Sequence, residues 1–238
     1  MLPRHLLDDV ADLVLGRACL GCDRAGPGLC DACMALIRGQ GPVVRTRADA
    51  LAVVARAEYA GLTRDAVIAY KEHGHLSLAR PLGELLADAV LRAEASGPLG
   101  PLGPILLVPV PGHRRSDRGF DAVGTLARYC ATDLRRRGRP AAVTRLLAIR
   151  ATYAPLKHLG RDERRLQVAG AFRVASGRGA RPPQGAPSVG ARGSVRVLVV
   201  DDVVTTGATT AEALRTLVAA GVKVTAIAAV AATPARPA

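Results

Sequence analysis

The chain has 238 residues, of which 49% are hydrophobic, 3% aromatic and 22% charged. That is enough apolar material for one sizeable core plus a small accessory module, and it excludes a wholly disordered chain. The formal charge of +13 comes almost entirely from arginine, because only Lys71, Lys157 and Lys223 are lysines. Such a balance suits a polyanionic partner, either nucleic acid or a phosphorylated small molecule, or else a plain solvated surface. With so few aromatics, stacking platforms for single strands are not expected.

No apolar run approaches the roughly 20 residues that a membrane helix needs, so no membrane insertion is expected. At the amino terminus Leu2, Leu6, Val10, Leu13 and Val14 fall on one face of a helix. Asp8, Asp9 and Asp12 stand where an export signal would be apolar, so the chain is expected in the cytoplasm, where thiols stay reduced.

Four cysteines follow as C-x2-C-x7-C-x2-C: Cys19, Cys22, Cys30 and Cys33. Two such pairs, with Gly21, Gly26, Pro27 and Gly28 supplying turns, suit a tetrahedral structural Zn²⁺ site. Disulfides and unpaired thiols are the alternatives, and a reducing compartment disfavours the first. Cys130, alone in a predicted helix, reads as a small core residue.

From residue 38 to 49 the chain reads as a polar connector. A strand is predicted over 51–57, then a helix over 63–72 and an amphipathic helix over 76–95. A Gly/Pro stretch at 96–104 leads to a strand at 105–110 and a helix at 120–137 that ends at Gly138. Another strand fits 141–149 and a short basic helix 162–168. Residues 175–194 are poor in hydrophobics and read as a flexible insertion. A strand at 195–200, a helix at 208–220 and a strand at 222–231 close the chain. Strands alternating with helices, and continuous apolar strands such as Val197-Leu198-Val199-Val200, predict an α/β fold with a parallel sheet flanked by helices. Residues 1–40 would form the N-terminal helix and zinc module, and 50–238 the main domain.

The most informative segment runs from Val197 through Asp201-Asp202-Val203-Val204-Thr205-Thr206-Gly207-Ala208-Thr209. The carboxyl end of a parallel strand is where ligands bind in open α/β sheets. The helix N-terminus that follows offers free N–H groups to an anion, Thr205, Thr206, Thr209 and Thr210 add hydroxyls, and Gly207 permits close approach. Asp201 and Asp202 would repel a phosphate but suit the vicinal hydroxyls of a sugar. Together they describe a sugar 5-phosphate site. An ordinary capped helix would need one Thr or Asp and not the whole array.

This segment resembles the phosphoribosyl-diphosphate (PRPP) motif of type I phosphoribosyltransferases. The wider chain resembles the ComF family (competence protein ComF/ComFC-like). That resemblance rests on the four-cysteine module, Tyr59-Ala-Gly-Leu-Thr-Arg64, Tyr70-Lys71 and Val108-Pro109-Val110-Pro111, together with Arg118-Gly119-Phe120-Asp121, Arg161 through Arg165, Gly170-Ala171-Phe172 and the phosphate loop. Departures fall at Asp121-Ala122, Leu156 and Gln167, where the family has Asn-Gln, Gln and Asn.

The resemblance implies a type I phosphoribosyltransferase-like sheet that binds PRPP with Mg²⁺ and transfers ribosyl 5-phosphate to an acceptor, releasing diphosphate. Asp201 and Asp202 would be catalytic. Asp201, Asp202, Thr205, Thr206, Gly207, Ala208 and Thr209 would bind PRPP. Arg115, Arg118 and Lys71 are candidates for diphosphate, with Arg114 beside them. Lys71 and the Arg161-Arg164-Arg165 cluster are weaker candidates, equally readable as a solvated helix face. The same resemblance implies a second class of function: a non-catalytic accessory in DNA uptake or processing, with a helicase or single-stranded DNA as partner.

Overall fold

The computed structural model describes residues 18–26, 28–47, 51–95, 103–112, 120–150, 168–175 and 195–234. The predicted N-terminal helix, the basic helix before Val168 and the insertion after Ala175 lie outside these residues. So do Arg114, Arg115, Arg118, Arg161, Arg164 and Arg165.

Helix α1 (Asp31–Gly39) leads to strand β1 (Val43–Thr46), which turns back into β2 (Ala52–Glu58). Helix α2 (Gly61–Lys71), a 3-10 turn (Leu76–Leu78) and α3 (Ala79–Ala95) precede β3 (Ile105–Pro109). Helix α4 (Ala122–Arg136) connects to β4 (Ala141–Val143), followed by β5 (Leu147–Ile149) and β6 (Phe172–Val174). Strand β7 (Arg196–Val204), α5 (Ala208–Ala219) and β8 (Val224–Ala232) complete the order.

Six strands form one sheet in the order β1-β2-β8-β7-β3-β4, parallel throughout except for the β1–β2 pair. The expected α/β architecture is present. Side chains alternate across the sheet as the two-residue strand period requires. On β7, Leu198 and Val200 join the larger apolar cluster, with Leu82, Leu85 and Leu86 of α3 and Leu126 and Leu134 of α4. Val197 and Val199 join the smaller one on the opposite face, with Leu214 and Leu217 of α5 and Phe172 of β6. Cys130 is fully buried in the larger cluster, and burial pushes its thiol pKa up, as befits a small core residue.

Three elements differ from expectation. The connector at 38–49 holds the end of α1 and the edge strand β1, because Val43-Val44-Arg45-Thr46 pairs antiparallel with Ala52–Ala55. The strand expected over 141–149 is two. Its first part pairs with β3 until Thr144 N–H donates to Leu107 O (2.9 Å). Its second part leaves for a separate sheet with β6, in which Leu147 pairs with Val174. Strand β7 runs four residues past Val200, because β8 still pairs with Val203 and Val204 where β3 has ended. No helix among the described residues is long and apolar enough to cross a membrane.

Candidate functional site

Strands β3 and β7 are neighbours, and their onward connections leave in opposite directions. From β3 the chain passes through α4 to β4 at one edge; from β7 it passes through α5 to β8 on the other side. The two helices pack on opposite faces of the sheet. A crevice at the carboxyl ends of such a strand pair is where open α/β sheets take ligands. The predicted phosphate loop leaves β7 at that end.

Asp201 and Asp202 are both buried, within the part of β7 that has outrun β3. Each carboxylate is tied to the next peptide: Asp202 N–H donates to Asp201 Oδ1 (2.9 Å) and Val203 N–H to Asp202 Oδ1 (2.8 Å). Burial pushes the Asp201 carboxyl well above the usual carboxylate range, the charge of Asp202 adds to it, and Lys71 opposes both. The loop then turns at Gly207, whose φ of +77° lies in the left-handed region that glycine adopts without strain. Gly207 is also the N-cap of α5 and caps with no side chain. The threonine array is therefore not consumed as an ordinary helix cap. Thr206 Oγ1 accepts a long bond from Ala208 N–H (3.4 Å), and Thr210 Oγ1 donates to Gly207 O (3.0 Å). Thr209 lies in the first turn of α5, where N–H groups have no partner within the helix.

Lys71, the diphosphate candidate among the described residues, reaches this site. It ends α2 and sets Nζ 2.6 Å from Asp202 Oδ2. Burial works against its charge, yet Asp202 and then Asp201 outweigh it, so its pKa sits above the ordinary lysine value. Tyr70 beside it is buried, donates from its hydroxyl to Ala122 O (2.8 Å) and meets Phe120 edge-to-face at 5.4 Å. Asp121, one of the departures from the family pattern, serves the local structure. Its Oδ1 caps α4 at Gly124 N–H (3.0 Å), and Oδ2 pairs with Arg145 (2.6 Å).

Sequence reasoning missed Arg45 and Arg47 of the edge-strand segment. Arg45 donates to Thr205 O (3.2 Å) and, at longer range, to Thr233 Oγ1 (3.5 Å), while Thr233 Oγ1 donates to the same Thr205 carbonyl (3.2 Å). Arg47 lines a cleft of about 390 Å³ with Thr206, Gly207, Ala208, Glu212 and Arg215. The adjacent β-branched residues Val43, Val44 and Thr46 were the available strand signal. Glu212 was missed too. It accepts from Gly170 N–H (2.9 Å) and from Arg215 at two positions (2.7 Å each), tying the turn before β6 to the helix that follows the loop.

The four cysteines converge. All their sulfurs lie within 4.8 Å of one another, and Cys22 and Cys30 are 3.6 Å apart, close to the ~3.8 Å edge of a tetrahedron with 2.3 Å metal–sulfur bonds. None is in a disulfide. The chain folds back so that Cys19 N–H donates to Arg24 O (2.7 Å) and Cys30 N–H to Cys19 Sγ (3.3 Å), while Cys30 and Cys33 open α1. A Cβ at Gly21 would sit 2.8 Å from Cys33 Sγ, so the approach requires glycine. Burial opposes ionisation of Cys19, but N–H groups of Cys30, Gly21 and Cys22 bring its pKa to about 6. Burial and the surrounding thiols push Cys33 up to about 12. A divalent ion relieves that mutual repulsion of thiolates, and an all-sulfur set of this geometry fits Zn²⁺.

Fold and site thus define an α/β protein with a buried acidic pair and a threonine-rich loop at a strand switch point, plus a four-thiol cluster able to hold a metal ion. No protein-family model and no curated protein matches the chain. Among solved structures it is similar to the orotate phosphoribosyltransferase from Aeropyrum pernix, at 16% identity over 84% of this chain and 92% of that one, with a TM-score of 0.31. A superposition that loose carries no weight for function.

Proposed function

We propose that the protein is a phosphoribosyltransferase-like enzyme that binds PRPP and transfers ribosyl 5-phosphate to an acceptor. The observation that carries this reading is the adjacent buried pair Asp201–Asp202 followed by a Gly207-turned threonine loop at the strand switch point. The N–H and hydroxyl groups of Thr205 to Thr209 take the 5-phosphate, and Asp201 and Asp202 accept from the ribose hydroxyls. Lys71, with Arg115 and Arg118, attracts diphosphate. Mg²⁺ travels with the substrate, held mainly by the substrate's own oxygens.

In the transfer the bond from C1 to the diphosphate oxygen breaks and its electron pair leaves on diphosphate. An acceptor lone pair forms the new bond to C1, and the acceptor's proton passes to solvent. The chain's share is positioning the sugar and stabilising charge on the departing group. Zn²⁺ in the cysteine cluster is structural, since protein fills all four positions.

The basic excess alone does not favour nucleic acid. Several arginines are engaged within the fold: Arg137 with Asp88 and Asp133 (2.6 Å each), Arg139 with Glu94 (2.8 Å) and Arg38 with Asp88 (2.9 Å).

The test is ³¹P NMR of PRPP and Mg²⁺ with the protein and pooled purine, pyrimidine and ammonia acceptors. Diphosphate should appear at least about 100-fold faster than with the double variant Asp201→Asn/Asp202→Asn. PRPP resonances unchanged in position, width and intensity would overturn the assignment. Line broadening without turnover, together with salt-dependent binding of single-stranded DNA, would move the protein to the DNA-uptake class.

A further inference from the structure

Lys71 stands in a place that a bound sugar needs. Its ammonium lies 2.6 Å from Asp202 Oδ2, while Asp202 Oδ1 already accepts the Val203 N–H. Oδ2 takes no backbone donor and is therefore the freer oxygen for a ribose hydroxyl, and the lysine covers it. The two partners are unequally placed: the Asp202 side chain is 4% exposed and that of Lys71 50% exposed. The lysine reaches the buried carboxylate from the solvent side on a flexible four-carbon stem. The backbone beneath it is held, because Tyr70 donates to Ala122 O and packs against Phe120.

We infer that Lys71 exchanges partners, pairing with Asp202 in the free protein and with the diphosphate of bound PRPP in the complex. The inference rests on the PRPP reading of the site. The ribose hydroxyls displace the ammonium from Oδ2, and it swings outward on its stem while α2 stays in place. The charge that kept the buried carboxylate paired becomes available to the leaving group only once the sugar has taken its seat. Lys71 thus makes ribose 5-phosphate a poorer ligand and PRPP a better one, which is discrimination between product-like and substrate-like ligands by a single cation.

Isothermal titration of the wild type, Lys71→Met and Lys71→Gln at pH 8 with Mg²⁺ separates this from a generic attraction. Ribose 5-phosphate should bind the variants about two- to fivefold tighter, the range of a half-exposed ion pair. PRPP should bind them about tenfold weaker or more, as expected for a lost charge-assisted hydrogen bond. Losses of equal size for both ligands, or wild-type PRPP affinity in Lys71→Gln, would overturn the exchange. If neither ligand bound the wild type, the site reading itself would fall and the exchange with it. Should Lys71→Met not fold, Lys71→Gln provides the same pair of comparisons.

Discussion

Asp201 is a carboxyl that its surroundings prefer neutral. Burial and the neighbouring Asp202 raise its folded pKa, whereas in the unfolded chain it ionises near 4. Its contribution to stability is thus present in full below pH ~4 and is lost as pH rises towards the folded pKa. Asp201→Asn should be more stable than wild type at neutral pH, with the gap closing on acidification to about pH 4, measured by urea unfolding across that range. Gly21 makes the opposite kind of demand. A methyl group there meets both Cys33 Sγ (2.8 Å) and Leu62 Cδ2 (2.9 Å). Gly21→Ala should cost about 1–3 kcal/mol and lower bound zinc per chain, read by calorimetry and metal analysis. Asp201, Asp202, the loop threonines and the cysteines were legible in the sequence because each set is contiguous or regularly spaced. The Lys71–Asp202 pair was not: the two lie on α2 and β7, and only the fold brings them together.

Helices α3 and α4 pack closely enough to require a glycine between them. A Cβ at Gly83 would meet Tyr129 Cβ and lie 3.2 Å from Cys130 N and 3.3 Å from Leu126 O, with backbone among the atoms that would have to move. Gly83→Ala should therefore destabilise by about 1–3 kcal/mol despite its better helix propensity, as urea unfolding would show. At α5, Arg215 pulls the Glu212 carboxyl below its ordinary value, burial opposes, and Gly170 N–H supports the ionised form. The stability this gives is present above the unfolded carboxylate pKa and is lost as pH falls through the lowered one. Glu212→Gln should weaken protection of the Gly170 amide in hydrogen exchange at pH 7, with the difference from wild type fading in acid. Long amphipathic helices were readable from their periodicity, and β3, β7 and β8 from short continuous apolar runs set between those helices and turn residues. Strand β1 was not, because four residues are too few to show a period. The break between β4 and β5 was hidden for another reason: it is set by where β3 stops accepting partners, which leaves no mark on residues 141–149.

The cysteine module is built into the molecule and does not hang from it. Cys19, Cys33, Met34 and Ile37 belong to the same apolar cluster as α3 and β7. Arg38 at the end of α1 and Arg137 after α4 both pair with Asp88 of α3, while Arg56 of β2 donates to Arg38 O. Asp88→Asn should cost about 1 kcal/mol, because Arg38 and Arg137 are both partly exposed and Arg137 keeps its pair with Asp133. Removing the metal with a chelator should lower the thermal midpoint of the whole chain in one transition, since α1 and the main sheet share a core. Two separate transitions would show the module to be independent. The class of the fold could be read from alternating elements. Its strand order could not, because the order depends on partners far apart in the chain.

The pairing of β2 with β8 governs how the chain comes to be folded at all. Val53 lies beside Ile227, roughly 170 residues later, a contact of very high sequence separation. Helix α3 rests its apolar face on β2 and β8 together, so during synthesis that face stays partly uncovered until β8 has been made. The phosphate loop, suspended between β7 and α5, then acquires its frame only when β8 docks. A nascent chain has no ligand site until β8 has been made, and a chain cut short before β8 never gains one.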